Sequence, residues 1–205
     1  MSDKIIIFDL GNVIFKFDLF RFIKLYIKKV PDDKKITDFN ALSPNCLKTA
    51  QLYETGDISS LDFYDQLAKE MHYTGTYNEF AVVWNNIFEL IPETVDVIAS
   101  LSGRYHLGIL SNTNELHFNF LKERYPQVFS LFDKIFLSYE MRLRKPDREI
   151  FENVIKHYNV LPSKIFFSDD LERNIHAAQE TGIKAYVYTN TMELVKQLKQ
   201  EQIEI

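Results

Sequence analysis

Short, almost continuously apolar runs recur along the chain and constrain its fold more than any other feature. They cover residues 4–8, 106–110, 134–137, 164–167 and 184–188. Apolar runs of this length without polar alternation are typical of strands that are covered on both faces, as in a parallel sheet. Helical patterns separate most of them, over 93–102, 115–124, 147–158, 171–181 and 191–200. The alternation predicts an α/β fold with a doubly wound, mainly parallel, Rossmann-like sheet.

One interval interrupts this alternation. Between Asp9 and the second apolar run we find no convincing strand, and four helical patterns cover 19–30, 45–54, 59–72 and 78–90. Ser59 or Ser60 is a suitable N-cap for the third of these helices. We therefore predict a four-helix insertion after the first strand. The expected division is a core of residues 1–16 plus 92–205 and a helical cap of residues 17–91.

Composition excludes several classes of protein. Cys46 is the only cysteine, so an intrachain disulfide is ruled out. The net charge of −5 argues against general nucleic-acid binding. No apolar stretch approaches the ~20 residues of a membrane helix, and the first residues lack signal-peptide features, so we expect a cytoplasmic protein without membrane partners. None of the six glycines has the spacing of a P-loop, a dinucleotide-binding loop or a serine-hydrolase elbow.

Polar side chains follow four of the predicted strands at the points where these strands end. They are Asp9 after the first strand, Ser111 and Asn112 after the second, Lys145 beyond the third, and Asp169 and Asp170 at the fourth. Ligands of open α/β sheets bind outside the carboxyl ends of the strands. We therefore expect these side chains to form one site.

The residue types in this site suit phosphoryl transfer. Asp9 and Asp170 are carboxylates that can hold Mg²⁺ together, and Asp9 is also suited to attack phosphorus as a nucleophile. Ser111 and Asn112 are expected to open a helix whose first N–H groups bind an anion. Lys145 supplies a positive charge for the phosphoryl oxygens.

The same residues carry a resemblance to a known family. The segments Phe8–Ile14, Leu110–Asn114, Arg144–Pro146 and Phe166–Asp170 resemble the four ordered motifs of the haloacid dehalogenase (HAD) superfamily. A helical insertion between the first two motifs is similar to that of the C1-capped branch. Asp-Leu-Gly-Asn-Val-Ile and Ser-Asn-Thr-Asn-x-Leu-His resemble the bacterial α-D-glucose-1-phosphate phosphatases most closely.

This resemblance implies a role for each motif residue. Asp9 is the expected nucleophile, and the metal ligands are Asp9, Asp170 and the backbone carbonyl of Gly11, with Asp169 as a further candidate. The phosphoryl group is expected to bind Leu10, Gly11, Ser111, Asn112 and Lys145. The implied cofactor is Mg²⁺. Asn174 occupies a position where many members carry an acidic residue.

The function that these residues predict is Mg²⁺-dependent hydrolysis of a small phosphorylated metabolite. A sugar phosphate such as glucose 1-phosphate is the expected substrate. A 2-haloacid dehalogenase is one alternative, although that reaction needs no metal and leaves the two aspartates 169–170 unexplained. A non-catalytic phosphate-binding or regulatory protein is the other. The oligomeric state and the cap residues that select the substrate stay open.

Gly11 is the main departure from the family pattern, because most HAD phosphatases carry a general acid–base aspartate there. Such a group typically contributes ~10²–10⁴-fold. The rate should therefore fall more steeply on phosphates with poor leaving groups than it does in relatives with the aspartate. Steady-state rates on sugar 1-phosphates and sugar 6-phosphates measure this difference, and equal rates would contradict it.

Overall fold

The computed structural model describes residues 3–35 and 42–205. The strands in these ranges are β1 (Ile5–Phe8), β2 (Phe15–Phe17), β3 (Phe88–Leu90), β4 (His106–Ser111), β5 (Lys134–Leu137), β6 (Ile165–Asp169) and β7 (Lys184–Val187). Five of them form a parallel sheet in the order β5-β4-β1-β6-β7. The predicted doubly wound α/β fold is confirmed, with β1 at the centre of the sheet.

Helices occupy most of the remaining chain. Those between β2 and β3 are α1 (Leu19–Tyr26), α2 (Pro44–Glu54), α3 (Ser60–Glu70) and α4 (Tyr77–Asn85). The others are α5 (Pro92–Leu101), α6 (Glu115–Arg124), α7 (Pro126–Phe129), α8 (Ser138–Met141), α9 (Arg148–Tyr158), α10 (Glu172–Glu180) and α11 (Thr191–Gln200). No helix in the described ranges combines the length and the apolar character needed to cross a membrane.

The central strand β1 divides its side chains between the two faces of the sheet. Ile6 and Phe8 belong to one hydrophobic cluster, and Ile5 and Ile7 belong to another. This alternation follows from the period of two in a strand, and all four residues are buried. The continuous apolar run thus reflects burial on both faces, as the sequence indicated.

The register of β1 aligns the strand ends that carry the polar residues. Phe8 pairs with Ile109 of β4 on one side and with Ser168 of β6 on the other. Asp9, the residue after Phe8, is therefore level with the ends of both neighbouring strands. This alignment gathers residues from distant parts of the chain at one edge of the sheet.

The helices of the insertion have their own core and strong caps. A third hydrophobic cluster contains Phe22, Tyr26, Phe63 and Phe80, among others from α1 to α4. Ser59 and Asp62 form a capping box at the start of α3, and Thr76 and Glu79 form one at the start of α4. Each box satisfies backbone N–H groups that the first turn leaves without an intrahelical partner.

We expected no strand between residues 10 and 105, and this expectation is wrong. The short strands β2 and β3 pair antiparallel, and the helix predicted over 78–90 ends at Asn85. Aromatic contacts stabilise the pair, because Phe88 packs edge-on against Phe15 and Phe17 at ring-centroid distances of 6.4 Å and 5.2 Å. Three residues per strand are too few to show a period of two, and the partners lie far apart in the chain.

Gly56 connects the insertion to the core at a point where a side chain has no room. Its φ is +69°, and a Cβ there would overlap the backbone carbonyl of Tyr139 in α8. Gly103 has a similar φ of +76° but open space around it. Substitutions at the two glycines therefore distinguish two costs. Both share the cost of a left-handed backbone, and only Gly56 adds the cost of an overlap with Tyr139.

We predict that Gly56→Ala destabilises the protein more than Gly103→Ala does. The left-handed conformation costs about 1–2 kcal/mol in both variants, and the contact with Tyr139 adds on the order of 1–3 kcal/mol for Gly56→Ala. Urea unfolding at constant pH measures both free energies. Equal losses in the two variants would show that the approach of Gly56 to α8 does not constrain the fold.

Candidate active site

Three carboxylates meet at the carboxyl end of the sheet. Asp9 follows β1, Asp169 ends β6 and Asp170 follows it. Each offers an oxygen within 4.8 Å of oxygens on the other two. Hard oxygen donors at this separation suit a divalent cation such as Mg²⁺. The sheet therefore brings together the predicted metal-ligating side chains.

Lys145 neutralises part of this negative charge from within the protein. Its side chain is 1% exposed, and its Nζ lies 2.9 Å from Asp9 Oδ1 and 2.6 Å from Asp169 Oδ2. The same ammonium group donates to the carbonyl of Leu110 at 2.8 Å. All three of its N–H groups are thus directed at oxygens. One buried cation faces three carboxylates, which leaves a net charge of −2 when all are ionised.

Burial and charge shift the pKa values of these groups. Burial is the main cause that raises the pKa of Asp9 to about 7, and Asp169 adds to the effect while Lys145 opposes it. For Lys145, burial disfavours the charge, but the two carboxylates outweigh it and raise the pKa. Burial also raises the pKa of Asp170. The carboxylate cluster therefore carries more negative charge than Lys145 alone neutralises.

Two asparagine side chains hold the paired aspartates in position. Asn174 Nδ2 donates to Asp169 at 2.9 Å and 3.0 Å, and Asn12 Nδ2 donates to Asp170 at 2.9 Å. The Asn12 carbonyl oxygen accepts from the Phe17 N–H. The amide at position 174 thus orients Asp169 directly, a role that the sequence comparison did not reveal.

The segment after β4 places Lys145 rather than opening a helix. The Asn112 side chain accepts from the Lys145 N–H and donates to the Lys145 carbonyl, both at 2.8 Å. The helix α6 begins later, and its N-cap is Asn114. The expectation that Ser111 and Asn112 open this helix is therefore wrong, because residues 112–114 lie between β4 and α6 in neither a strand nor a helix. Ser111, the last residue of β4, is buried beside Leu110.

Gly11 lies under an aromatic ring. A Cβ at this position would be 2.5 Å from two ring atoms of Phe17. The preceding residue, Leu10, donates its N–H to Asp9 Oδ1 at 2.6 Å. Phe17 therefore occupies the space that a side chain at position 11 would need, a relation that the sequence alone did not indicate.

A cavity of about 300 Å³ separates the strand ends from the helical insertion. Leu10, Gly11, Ser111 and Asn112 line it on the side of the sheet. Residues of α1 to α4 and β3 line the opposite side. The predicted phosphate-binding residues after β1 and β4 thus open directly into this cavity.

Sequence reasoning missed an ion pair between Glu54, which lines the cavity, and Arg144. Glu54, at the end of α2, accepts from Arg144 Nη2 at 3.1 Å, next to Lys145 in the chain. Burial is the main cause that raises the pKa of Glu54, against the opposing effect of Arg144. A carboxylate at the C-terminus of a helix interacts unfavourably with the helix dipole. The position of Glu54 at the end of α2 was therefore the feature of the sequence that could have indicated a positively charged partner.

The profile of the haloacid dehalogenase-like hydrolases matches residues 4–182, which is most of the chain. The chain belongs to this family. The match includes all four strand ends described above. It therefore confirms the resemblance that the ordered motifs indicated.

Two characterised relatives of this hydrolase are phosphatases by name. D-ribitol-5-phosphate phosphatase of Bacteroides thetaiotaomicron is 31% identical over 192 residues, covering 89% of this chain and 90% of that protein. Sesquiterpene phosphatase of Aspergillus oryzae is 26% identical over 201 residues, covering 96% of this chain and 95% of that protein. Both similarities extend over nearly the full length of each chain.

Solved structures show the same fold. A HAD family enzyme of B. thetaiotaomicron superposes with a TM-score of 0.82 at 28% identity, covering 91% of this hydrolase and 93% of that chain. Another structure of that enzyme, in complex with magnesium and inorganic phosphate, superposes with a TM-score of 0.77 at 29% identity and covers 91% and 94%. L-2-haloacid dehalogenase of Xanthobacter autotrophicus shares the fold alone, with a TM-score of 0.64 at 15% identity and coverage of 98% and 84%.

His117 joins the insertion to the core of the hydrolase. Its Nε2 lies 3.1 Å from the carbonyl of Trp84 in α4, and its Nδ1 lies 3.1 Å from Asn114 Nδ2. The neutral imidazole with the proton on Nε2 satisfies both partners. Its ring stacks on Trp84 at 5.0 Å and meets Phe88 edge-on at 4.8 Å. Burial is the main cause that lowers the pKa of His117 to about 3.

We predict that His117 makes the hydrolase less stable as the pH falls. Between pH 6.5 and about 3 the unfolded imidazole binds a proton that the folded one does not. Stability from this group is therefore complete above pH 6.5 and decreases below it, by at most about 1.4 kcal/mol per pH unit. Urea unfolding of the wild type and of His117→Gln from pH 7.5 to 4.5 measures the difference.

His176→Gln is the matched control, because His176 is exposed on α10. Its unfolding free energy should follow the wild type across the whole range. His117→Gln should show a shallower decrease with falling pH, since its amide still donates to Trp84 but does not titrate. Parallel curves for the wild type and His117→Gln would refute the role of the neutral imidazole.

Proposed function

We propose that the chain is a Mg²⁺-dependent phosphatase that hydrolyses the phosphomonoester of a small alcohol through an aspartyl phosphate on Asp9. The observation that carries the proposal is the cluster of Asp9, Asp169 and Asp170 around the buried ammonium group of Lys145. The phosphatase names of the two relatives support it. So does the binding of magnesium and phosphate by the B. thetaiotaomicron enzyme.

The donor set fits Mg²⁺. Asp9, Asp170 and the backbone carbonyl of Gly11 are the proposed ligands. Both oxygens of Asp169 already accept hydrogen bonds, Oδ1 from the Leu171 N–H and Asn174 and Oδ2 from Asn174 and Lys145. The net charge of the cluster calls for a divalent cation. Asn174 Oδ1 is buried without a hydrogen-bond partner among the described residues, and a water in this site would donate to it. When bound, Mg²⁺ supplies positive charge for the phosphoryl oxygens.

The residues divide the reaction into two steps. Asp9 attacks phosphorus, a new P–O bond forms to its carboxylate, and the bond from phosphorus to the alcohol oxygen breaks. The leaving oxygen takes its proton from solvent water, since position 11 carries no acidic side chain. Ser111 and the main chain of Leu10, Gly11 and Asn112 hold the phosphoryl oxygens, and the charge of Lys145 stabilises them from within the protein. Water then attacks the phosphorus of the aspartyl phosphate, which releases inorganic phosphate and restores Asp9. Two displacements of this kind replace one difficult step by two easier ones.

The insertion has its own proposed role. We assign residues 17–91 as a cap on a core of residues 1–16 and 92–205. The cavity lies between the strand ends and α1 to α4, so closure of the cap excludes bulk water from the phosphoryl group. Contacts of His117 and Arg144 with the insertion connect the cap to the core.

The alcohol part of the substrate separates two classes. A sugar or polyol phosphate is the class that the sequence predicted, and the name of the D-ribitol-5-phosphate phosphatase supports it. The name of the sesquiterpene phosphatase supports an apolar alcohol instead. Neither class changes the proposed chemistry at Asp9, because the two differ only in the leaving alcohol.

The dehalogenase alternative is distinguished by its metal requirement. The similarity to the Xanthobacter enzyme concerns the fold alone. A phosphatase of the proposed kind should lose activity when EDTA removes divalent ions and regain it with added Mg²⁺. Release of halide from a 2-haloacid in the presence of EDTA would favour the alternative.

We predict that Asp9→Asn abolishes turnover and leaves the fold intact. The amide has no charge to attack phosphorus, and Lys145 keeps its ion pair with Asp169. Because burial raises the pKa of Asp9 to about 7, an uncharged group there should leave the unfolding temperature unchanged or raise it. Phosphate release with Mg²⁺ and thermal unfolding measure the two effects.

Asp96→Asn is the matched control, since Asp96 lies exposed on α5. This variant should retain the wild-type rate and the wild-type unfolding temperature. Substantial phosphate release by Asp9→Asn would remove Asp9 as the nucleophile, and the aspartyl phosphate with it.

A further inference from the structure

The wall of the cavity is apolar over the insertion. Phe22, Cys46, Ala50, Leu67, Met71 and Trp84 line it from α1 to α4 or directly after α3. Phe17 and Phe88 of the β2–β3 pair continue this apolar wall towards Gly11. A substrate whose phosphate is held at the strand ends therefore places its alcohol part against carbon and sulfur atoms.

Most polar side chains that line the cavity already have hydrogen-bond partners within the protein. The Tyr53 hydroxyl lies 2.8 Å from Ser60 Oγ and accepts from the Leu116 N–H. The side chains of Asn112, Asn114 and His117 are engaged by the bonds described above. These groups build the wall and have little capacity left for hydroxyl groups of a substrate.

Besides Ser111, three polar groups in the described lining do have capacity left. One is the Thr113 hydroxyl, because the bonds of Thr113 involve only its backbone. Trp84 Nε1 is buried without a hydrogen-bond partner, and Glu54 has a carboxylate that Arg144 contacts through one oxygen. A sugar or polyol phosphate carries several hydroxyl groups, each of which costs about 1–3 kcal/mol when it is buried without a partner. One indole N–H, one carboxylate and one hydroxyl are too few to form hydrogen bonds with all of them.

The volume sets the size of the alcohol. The cavity has a volume of about 300 Å³, and the residues proposed to hold the phosphoryl group line part of it. The cavity lies at the lower end of the range for small-molecule sites, about 300–1,000 Å³. It therefore suits a single compact or short-chain alcohol.

We propose that this phosphatase selects phosphomonoesters of compact or short-chain apolar alcohols, whose hydrocarbon part fills the cavity between the strand ends and the insertion. The proposal rests on the phosphatase function proposed above. It assigns the choice of substrate to the apolar wall, whereas the phosphoryl chemistry belongs to Asp9, Lys145 and the strand ends.

Matched pairs of primary phosphates test the choice directly. Pentyl phosphate and ribitol 5-phosphate share a five-carbon chain, and cyclohexylmethyl phosphate and glucose 6-phosphate have rings of similar shape. With Mg²⁺ present, kcat/KM should be at least about tenfold higher for the apolar member of each pair, given the cost of unpartnered hydroxyl groups. From propyl to octyl phosphate it should rise by up to about fourfold per methylene.

A variant of the wall tests where the selectivity resides. Leu47 lines the cavity and is 52% exposed, so Leu47→Gln introduces a polar group with little effect on the fold. It should lower kcat/KM for octyl phosphate by roughly tenfold and leave acetyl phosphate, which has a minimal leaving group, unaffected. Leu161→Gln, at a 69% exposed position that does not line the cavity, should change neither rate.

The outcomes separate this inference from the proposed function. Hydrolysis of acetyl phosphate combined with equal or faster turnover of ribitol 5-phosphate than of pentyl phosphate would overturn the apolar selectivity and leave the phosphatase standing. An equal loss on octyl and acetyl phosphate in Leu47→Gln would also overturn it. If none of these compounds, including the acyl phosphate acetyl phosphate, is hydrolysed with Mg²⁺ present, the phosphatase and this inference are both overturned.

Discussion

The buried ammonium group of Lys145 is the interaction on which the rest of the site depends. Its charge lies between Asp9 and Asp169 with almost no access to solvent. Isolating any of these charges in the interior would cost about 3–5 kcal/mol. The loop after β5, the end of β1 and the end of β6 must therefore meet, and the strand order β5-β4-β1-β6-β7 is what allows it. Asn112 and Asn174 complete the arrangement by fixing the Lys145 backbone and the Asp169 carboxylate.

Local patterns explain how much was predictable. The five sheet strands are short apolar runs, and Asp9, Ser111 and Asp170 were predicted from where such runs end. Lys145 lies well beyond the end of β5 at Leu137, and its prediction depended on the order of the family motifs. The β2–β3 pair, the Glu54–Arg144 ion pair and the ring over Gly11 each join residues far apart in sequence or depend on one side-chain orientation. No local periodicity reports such contacts, which is why the sequence did not reveal them.

Gly11 has a different meaning in sequence and in structure. In the sequence it marks the absence of a general acid. In the structure it also makes room for Phe17, whose ring covers the glycine and lines the cavity. Loss of the acidic side chain and gain of an apolar wall are therefore two aspects of one local arrangement. A sugar phosphate remains the prediction from the motifs, whereas the lining of the cavity favours an apolar alcohol.

The molecule separates two tasks that a phosphatase must combine. The charged residues at the strand ends are proposed to act on the phosphoryl group, which every candidate substrate shares. The helical insertion contributes most of the cavity wall, and we propose that this wall meets the alcohol, which differs between substrates. His117 and Glu54 hold the two parts together through contacts that do not involve the carboxylate cluster. Changes in α2 or α3 can therefore alter which alcohol fits while Asp9, Asp169 and Lys145 keep their geometry.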